Sequence, residues 1–313
     1  MIDSNRYRFI SIIVPCYNSK KTIKECVSSI VSQDYPEDSF EILIIDDGSN
    51  DGTRDILKEI GRGKNIKLFF HAENRGLAAA RNTGIGNANG EILLFVDSDM
   101  ILSERFLQKV NNLFARDDII GVIGKRISHH TVKMDKYQRY RNEYKRIKNW
   151  SKPIPFYYFL FNLTAVRKEV IEEVGYFNET YKIWGGEDND LAYRIYKKYP
   201  AGLYFNPELI GYHRHYKPLK NELENIYKFA MINLPMLVRG GEEMVKAYKL
   251  EYSTAYTGSN FLKAWVGRFL ITGLVKKAGI FFYEISFYPL SNIFLKLLFA
   301  NYLLRGFSKS ANK

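Results

Sequence analysis

Cysteine is nearly absent, with Cys16 and Cys26 the only two in 313 residues. Two thiols in so long a chain give no disulfide framework, which fits a reducing compartment. The opening Met1-Ile2-Asp3-Ser4-Asn5-Arg6 lacks the apolar core of a secretory signal. The sequons Asn162-Leu163-Thr164 and Asn178-Glu179-Thr180 are accordingly read as accidental. Long apolar runs are missing too. The most apolar region, 261–307, is interrupted by Lys263, Arg268, Lys276, Lys277, Glu284, Lys296 and Arg305 and broken by Pro289. No stretch therefore offers the roughly 20 charge-poor residues of a spanning helix. A dinucleotide fingerprint is also lacking, because such a loop opens a helix directly after the first strand. Gly84-Ile85-Gly86 falls late in an expected helix, and Gly48 and Gly52 follow the second expected strand. This places a nicotinamide oxidoreductase low.

What is present is a globular composition, 46% hydrophobic and 26% charged, with a net charge of +12. The excess of bases implies an anionic partner: nucleic acid, acidic lipid or a phosphorylated substrate. No RNA or DNA module signature accompanies it, so nucleic acid is not expected.

The chain is organised around Ile92–Val96, an apolar run opened by Asn89-Gly90 and closed by Asp97-Ser98-Asp99. It reads as a strand buried on both faces that delivers two carboxylates at its carboxyl end, where open α/β sheets bind ligands. Two such groups meet a divalent cation and the diphosphate it carries. Alone, such a pattern is more often a solvated acidic turn, and only context reverses that.

Its context comes from the preceding chain. Phe9–Val14, stopped by Pro15, Phe40–Ile45 and Ile66–Phe70 read as strands; Ile23 to Val31, Asp55–Ile60 and Leu77–Ile85 read as helices. Alternation at these distances gives βαβ units in a mainly parallel sheet flanked by helices. Right-handed crossovers then gather Pro15-Cys16-Tyr17-Asn18, Asp46-Asp47-Gly48-Ser49 and Asp97-Ser98-Asp99 along one edge. A nucleotide spans these ends, with Asp47 accepting from a base N–H and Asp97 near the ribose.

Bases alternate with aromatics from Lys133 to Lys152, which is either a flexible arm over an anionic ligand or a solvated helix with its aromatics inward. Trp184-Gly185-Gly186-Glu187-Asp188 then opens a helix. Acids in a first turn are ordinarily caps. The indole and paired glycines add more, because an aromatic face suits a sugar ring and glycine admits close backbone approach. Asp188 is thus the candidate base and Glu187 a second carboxylate for an acceptor hydroxyl. His213 and His215 end a later strand, pointing to opposite faces, so one of them completes the metal site begun by Asp99.

These residues resemble the inverting family 2 glycosyltransferases of GT-A fold, through Val14-Pro15-Cys16-Tyr17-Asn18, Asp46-Asp47-Gly48-Ser49, Asn74-Arg75-Gly76, Ala80-Arg81-Asn82, Asp97-Ser98-Asp99 and Trp184-Gly185-Gly186-Glu187-Asp188. The resemblance covers about Ile10 to His215. It implies a nucleotide-diphosphate sugar donor and a divalent metal, Mn2+ or Mg2+, held by Asp99 and by His213 in preference to His215, with Asp97 as an alternative ligand. It also implies nucleotide contacts from Pro15, Tyr17, Asp47, Arg81 and Asp97, a catalytic pair in Asp188 and Glu187, and a sugar platform in Trp184, Gly185 and Gly186. The W-G-G-E-D form is similar to transferases using UDP-galactose or UDP-N-acetylgalactosamine.

The expected organisation is a catalytic domain over 1–217, with a nucleotide-binding half to about 125 and an acceptor half after it, and a helical, apolar and basic extension over 218–313. The extension reads as amphipathic helices on an anionic cytoplasmic membrane face, or as a cover for the catalytic domain or a second subunit. The expected activity is transfer of a hexose or N-acetylhexosamine to a hydroxyl of a glycan or lipid-linked saccharide. Its rivals are sugar transfer to a polyprenyl phosphate and a nucleotide-sugar binding protein without catalysis.

Overall fold

The runs richest in aliphatic and β-branched side chains become the innermost strands. A computed structural model describes residues 6–143, 152–181, 183–253 and 261–310. By their internal contacts these divide into two units, one of residues 6–132, 152–181 and 187–215, the other of 133–143, 183–186, 216–253 and 261–310.

In the first unit the chain runs β1 (Ile10–Cys16), α1 (Ile23–Val31), β2 (Phe40–Asp46), α2 (Thr53–Ile60), β3 (Ile66–Phe70), α3 (Leu77–Gly86) and β4 (Ile92–Val96). It continues through β5 (Met100–Leu102), α4 (Phe106–Leu113) and β6 (Gly121–Ser128). After α5 (Lys136–Asn142), which belongs to the second unit, come β7 (Leu163–Arg167), α6 (Lys168–Val174), α7 (Glu187–Lys198) and β8 (Leu203–His213). The strands form one sheet in the order β3-β2-β1-β4-β7-β6-β8-β5. β3, β2, β1 and β4 are parallel, β7 is antiparallel to both neighbours, β6 and β8 are parallel, and β5 returns antiparallel on β8.

β1, β2 and β4 are buried at every position, which is why their sequences are dominated by apolar residues and do not alternate; the polar exceptions Ser11 and Glu41 satisfy each other, Ser11 Oγ donating to Glu41 Oε1 at 2.6 Å. Ile12, Val14, Ile42, Ile44, Leu94 and Val96 share one core with Ile23, Cys26, Val27 and Ile30 of α1. Each such aliphatic side chain contributes about 1.5–3 kcal/mol by leaving water. β1 does not stop at Pro15 as its sequence suggests. It pairs with β2 through Cys16, whereas its pairing with β4 ends at Ile13↔Phe95, so the ring lies past the last rung on that side and its missing N–H is not needed there.

The second unit contains α5 and, from 216 onward, α8 (Leu219–Ile232), α9 (Leu234–Leu237), α10 (Glu242–Ala247), α11 (Phe261–Leu270), α12 (Gly273–Ile285) and α13 (Ser291–Ser310). Its core joins Tyr137, Leu223, Tyr283, Leu295 and Leu298. Over the described part of the basic, aromatic stretch, α5 is a packed helix and not an arm. Tyr137 and Tyr140 set their rings 6.3 and 6.0 Å from Phe299. Lys136 donates to the carbonyls of Tyr283 and Glu284 at the end of α12, where a cation meets the negative end of the helix. Residues 144–151 of that stretch lie outside the described residues. The expected single cut at 217 therefore differs from the contact division, which also takes 133–143 and 183–186 into the helical unit. Among the described residues no helix is long and apolar enough to cross a membrane.

Candidate active site

Three parallel strands end side by side, and hydrogen bonds tie the turns that follow them. Ser49 Oγ accepts from Asn18 N–H at 2.9 Å, Thr53 Oγ1 accepts from Ser19 N–H at 2.9 Å, and the hydroxyls of Ser19 and Ser98 lie 2.7 Å apart. The turns after β1, β2 and β4 thus hold one another. Pro15 is buried in β1, while Tyr17 just beyond leaves half its ring in solvent.

Asp47 is buried, and its carboxylate holds the loop between β3 and α3. Oδ1 accepts from Arg75 N–H at 2.9 Å and lies 2.7 Å from His71 Nδ1, and Oδ2 accepts from Gly76 N–H at 2.8 Å. The turn needs glycine at 48, where φ is +80° and a Cβ would stand 2.5 Å from the Glu73 carbonyl carbon. Next to it, Asp46 is fully buried and accepts from Arg54 Nε at 2.7 Å, with Oδ1 left unpartnered.

β5 lies antiparallel on β8 with Met100 opposite His213, and this register brings Asp99 to the histidine: Oδ2 and Nε2 are 3.2 Å apart. The His215 ring stands 6.1 Å from that of His213, edge to face. Asp99 Oδ1 is buried with no partner. Desolvation would raise the Asp99 carboxyl, but the His213 hydrogen bond and the charges of His213, His215 and Arg126 carry it below the usual range.

Arg81, on α3, is 1% exposed and stands among three carboxylates. Nη1 donates to Asp188 Oδ1 at 2.6 Å and lies 4.0 Å from Glu187 Oε1; Nη2 lies 3.5 Å from Asp97 Oδ1 and donates to the Phe161 carbonyl at 2.7 Å. Its plane packs 5.2 Å from the Phe177 ring centroid. Desolvation works against the cation, but Asp188, Asp97 and Glu187 outweigh it and hold the guanidinium charged. One cation does not balance three acids. Burial, with the Asp188 charge, pushes the Glu187 carboxyl up against the pull of Arg81. Burial likewise pushes Asp97 up, although a third of its side chain reaches solvent, which tempers the effect.

The structure therefore gathers Asp97, Asp99, His213, Glu187 and Asp188 at the strand ends from separate parts of the chain. Arg81, expected as a nucleotide contact, is a buried cation among these acids, with Nη1 on Asp188 and Nη2 on the Phe161 carbonyl. Trp184, Gly185 and Gly186 fall in the second unit while Glu187 and Asp188 fall in the first. There Lys217 Nζ stands 4.3 Å from the Trp184 ring centroid, so one indole face is already occupied. Gly185 and Gly186 have φ of +92° and +111°, and Asn233 Nδ2 donates to the carbonyls of Ile183 and Gly185 at 3.1 and 2.5 Å. His71, Arg54 and Asn233 were not singled out from sequence. No motif marks them, since each acts on groups distant in the chain or on backbone.

A family model described as Glycosyl transferase family 2 matches residues 11–175, just over half the chain. The chain belongs to this family. A second model, described as the N-terminal domain of galactosyltransferase, matches residues 141–217 of this family 2 glycosyltransferase. Glycosyltransferase AglE of Haloferax volcanii is 37% identical over 102 residues, 32% of this chain and 34% of that protein. Chondroitin synthase of Escherichia coli is 28% identical over 253 residues, 69% of this chain and 36% of that protein. The chain thus spans about a third of the length of these relatives. The fold is similar to that of a mannosyltransferase, PcManGT from Pyrobaculum calidifontis, solved with GDP-Man and Mn2+ (TM-score 0.67, 21% identity, 98% of this chain and 88% of that one). It is also similar to S. aureus TarS 1-349 solved with UDP (TM-score 0.58, 20% identity, 94% and 89%). The enzyme has the GT-A architecture, with its parallel β3-β2-β1-β4 half and a helical carboxyl-terminal region.

Proposed function

We propose that this glycosyltransferase is an inverting enzyme that moves a hexose or N-acetylhexosamine from a UDP-linked donor to a hydroxyl of a glycan or lipid-linked saccharide, with Asp188 as base. One observation carries the reading. A single guanidinium, Arg81, engages both Asp97 and Asp188, so the end of the donor-side strand and the proposed base share one centre.

The donor set suits a divalent ion. An aspartate with one buried, unpartnered oxygen beside an imidazole is the carboxylate and nitrogen pair that Mn2+ or Mg2+ accepts. Among the described residues no third such side chain joins them. Asp99 and His213 would hold the ion, which when bound neutralises charge on the departing diphosphate.

The chain's own groups do the rest. Asp188 Oδ1 is taken by Arg81, so Oδ2 is the oxygen left to accept a proton from the acceptor hydroxyl. As that proton leaves, the hydroxyl oxygen attacks the anomeric carbon from the face opposite the diphosphate. The bond to the phosphate oxygen breaks with its electron pair, and the centre inverts. Arg81 fixes the carboxylate's direction, and such positioning supplies several kcal/mol in comparable reactions. Glu187, next to Asp188 and 4.0 Å from Arg81 Nη1, is the second carboxyl proposed to meet the acceptor hydroxyl.

Asp188→Asn keeps the oxygen that meets Arg81 and removes the base. Sugar transfer should fall by about 10²–10⁴-fold, while calorimetric binding of UDP with Mn2+ stays close to wild type. Unchanged turnover would remove Asp188 from the mechanism.

A further inference from the structure

In the second unit α11 and α12 each bury one side and leave a second, apolar row of side chains exposed. α12 seats Val275, Gly279 and Tyr283, four residues apart, in its core. A second row, Leu274, Phe281 and Ile285, is 71, 58 and 62% exposed, with Lys277 exposed in the same row. On α11 only Gly267 is buried, and Phe261, Trp265 and Phe269, again four apart, are 83, 59 and 55% exposed. Phe287, after α12, is 72% exposed. Isolated exposed apolar residues are ordinary; rows of aromatics at helical spacing are not.

We propose that these exposed rows of α11 and α12 dock on an anionic phospholipid surface. Two observations select lipid over a second copy of the chain. Arg268, Lys277 and Lys296 are exposed and Glu284 is the one acid over 261–296, while Lys263 pairs with Glu251 at 3.8 Å and Lys276 lies 5.1 Å from the Tyr302 ring centroid; the exposed bases complement acidic headgroups. Lysine is depleted from the cores of protein interfaces, yet Lys277 sits within the apolar row. On a bilayer its stem lies along the apolar zone while its ammonium reaches the phosphates, the arrangement of interfacial helices that pair Trp and Phe with Lys and Arg. α11 and α12, of 10 and 13 residues, would lie along that surface.

This inference stands apart from the reading of the catalytic centre, since its test needs no turnover. The full chain is floated with phosphatidylcholine vesicles containing about a third phosphatidylglycerol, and with phosphatidylcholine alone, at low and high salt. The expected result is recovery with the anionic vesicles, weakened by salt, and at least tenfold less for the triple variant Leu274→Glu, Phe281→Glu, Ile285→Glu. Trp265→Ala with Phe269→Ala gives a second, milder reading in which folding is checked by the melting curve. No flotation, or flotation indifferent to both variants, overturns the proposal. So does a lipid-free dimer that the variants dissociate, which would assign the face to a second copy.

Discussion

At the residue scale the proposed centre has an unequal charge balance, one guanidinium among three carboxylates. A buried cation with three acids loses far more on removal than a surface ion pair, because the acids are left uncompensated in a poorly solvated place. Arg81→Met should therefore cost about 3–5 kcal/mol in urea unfolding, with transfer abolished. Arg81→Lys separates position from charge. An ammonium cannot fork to Asp97, Asp188 and the Phe161 carbonyl together. Stability should recover in part while kcat stays depressed by about 10²-fold, the cost typical of a base displaced by an ångström. Full kcat in the lysine variant would show that the guanidinium does not aim Asp188. The acids were legible in the sequence because each ends an apolar run or opens a helix. The role of Arg81 was not, since Leu77–Gly86 reads as an ordinary helix and nothing in it says that its arginine turns inward toward Asp188, 107 positions later.

At the scale of elements, the parallel half of the sheet was legible almost strand by strand, because burial on both faces favours apolar residues and admits a polar one only with a partner, as Ser11 has in Glu41. Pro15 was the exception. A sequence shows that its N–H is missing but not that the neighbouring strand has already stopped pairing at that height. The stretch around α5 was ambiguous for another reason, since alternating bases and aromatics suit an arm or a packed helix alike until Leu223 and Leu298 are known to lie against Tyr137. Loop chemistry fell between these cases. The turn after β2 was visible as a turn, while its purpose lies in where Asp47 points. Gly48→Ala tests that purpose, since its Cβ would press on backbone at Glu73 and Asn74 and its φ is unfavourable for alanine. A loss of about 2 kcal/mol or more in unfolding free energy is expected from strain and overpacking together, with weaker UDP binding by calorimetry as the loop that Asp47 anchors shifts. An alanine variant with wild-type stability and UDP affinity would mean that the loop adjusts freely and that Asp47 is not held by it.

At the scale of the whole molecule, the expectation of a catalytic domain ending near 217 treats the helices beyond it as an appendage. The contacts do not divide that way. The residues just before Glu187 and Asp188, 183–186, are held from beyond the expected boundary: Asn233 donates to the carbonyls of Ile183 and Gly185, and the Phe229 ring approaches Gly185 so closely that a Cβ there would stand 3.2 Å away. Residues 133–143 likewise owe their core partners to Leu223, Leu295 and Leu298. A sequence read from one end to the other hides this, because the segments involved are short and carry no composition of their own. A chain ending at Lys217 would leave Tyr137 bare and the two glycines, with their positive φ, unsupported. It should melt lower and release no UDP from donor and acceptor, even though every acid named above is still present. Asn233→Ala asks the same question without truncation, and in it kcat/KM for the acceptor should fall while UDP binding persists. A truncated chain that transfers sugar at the full rate would show that the helical unit is dispensable for transfer.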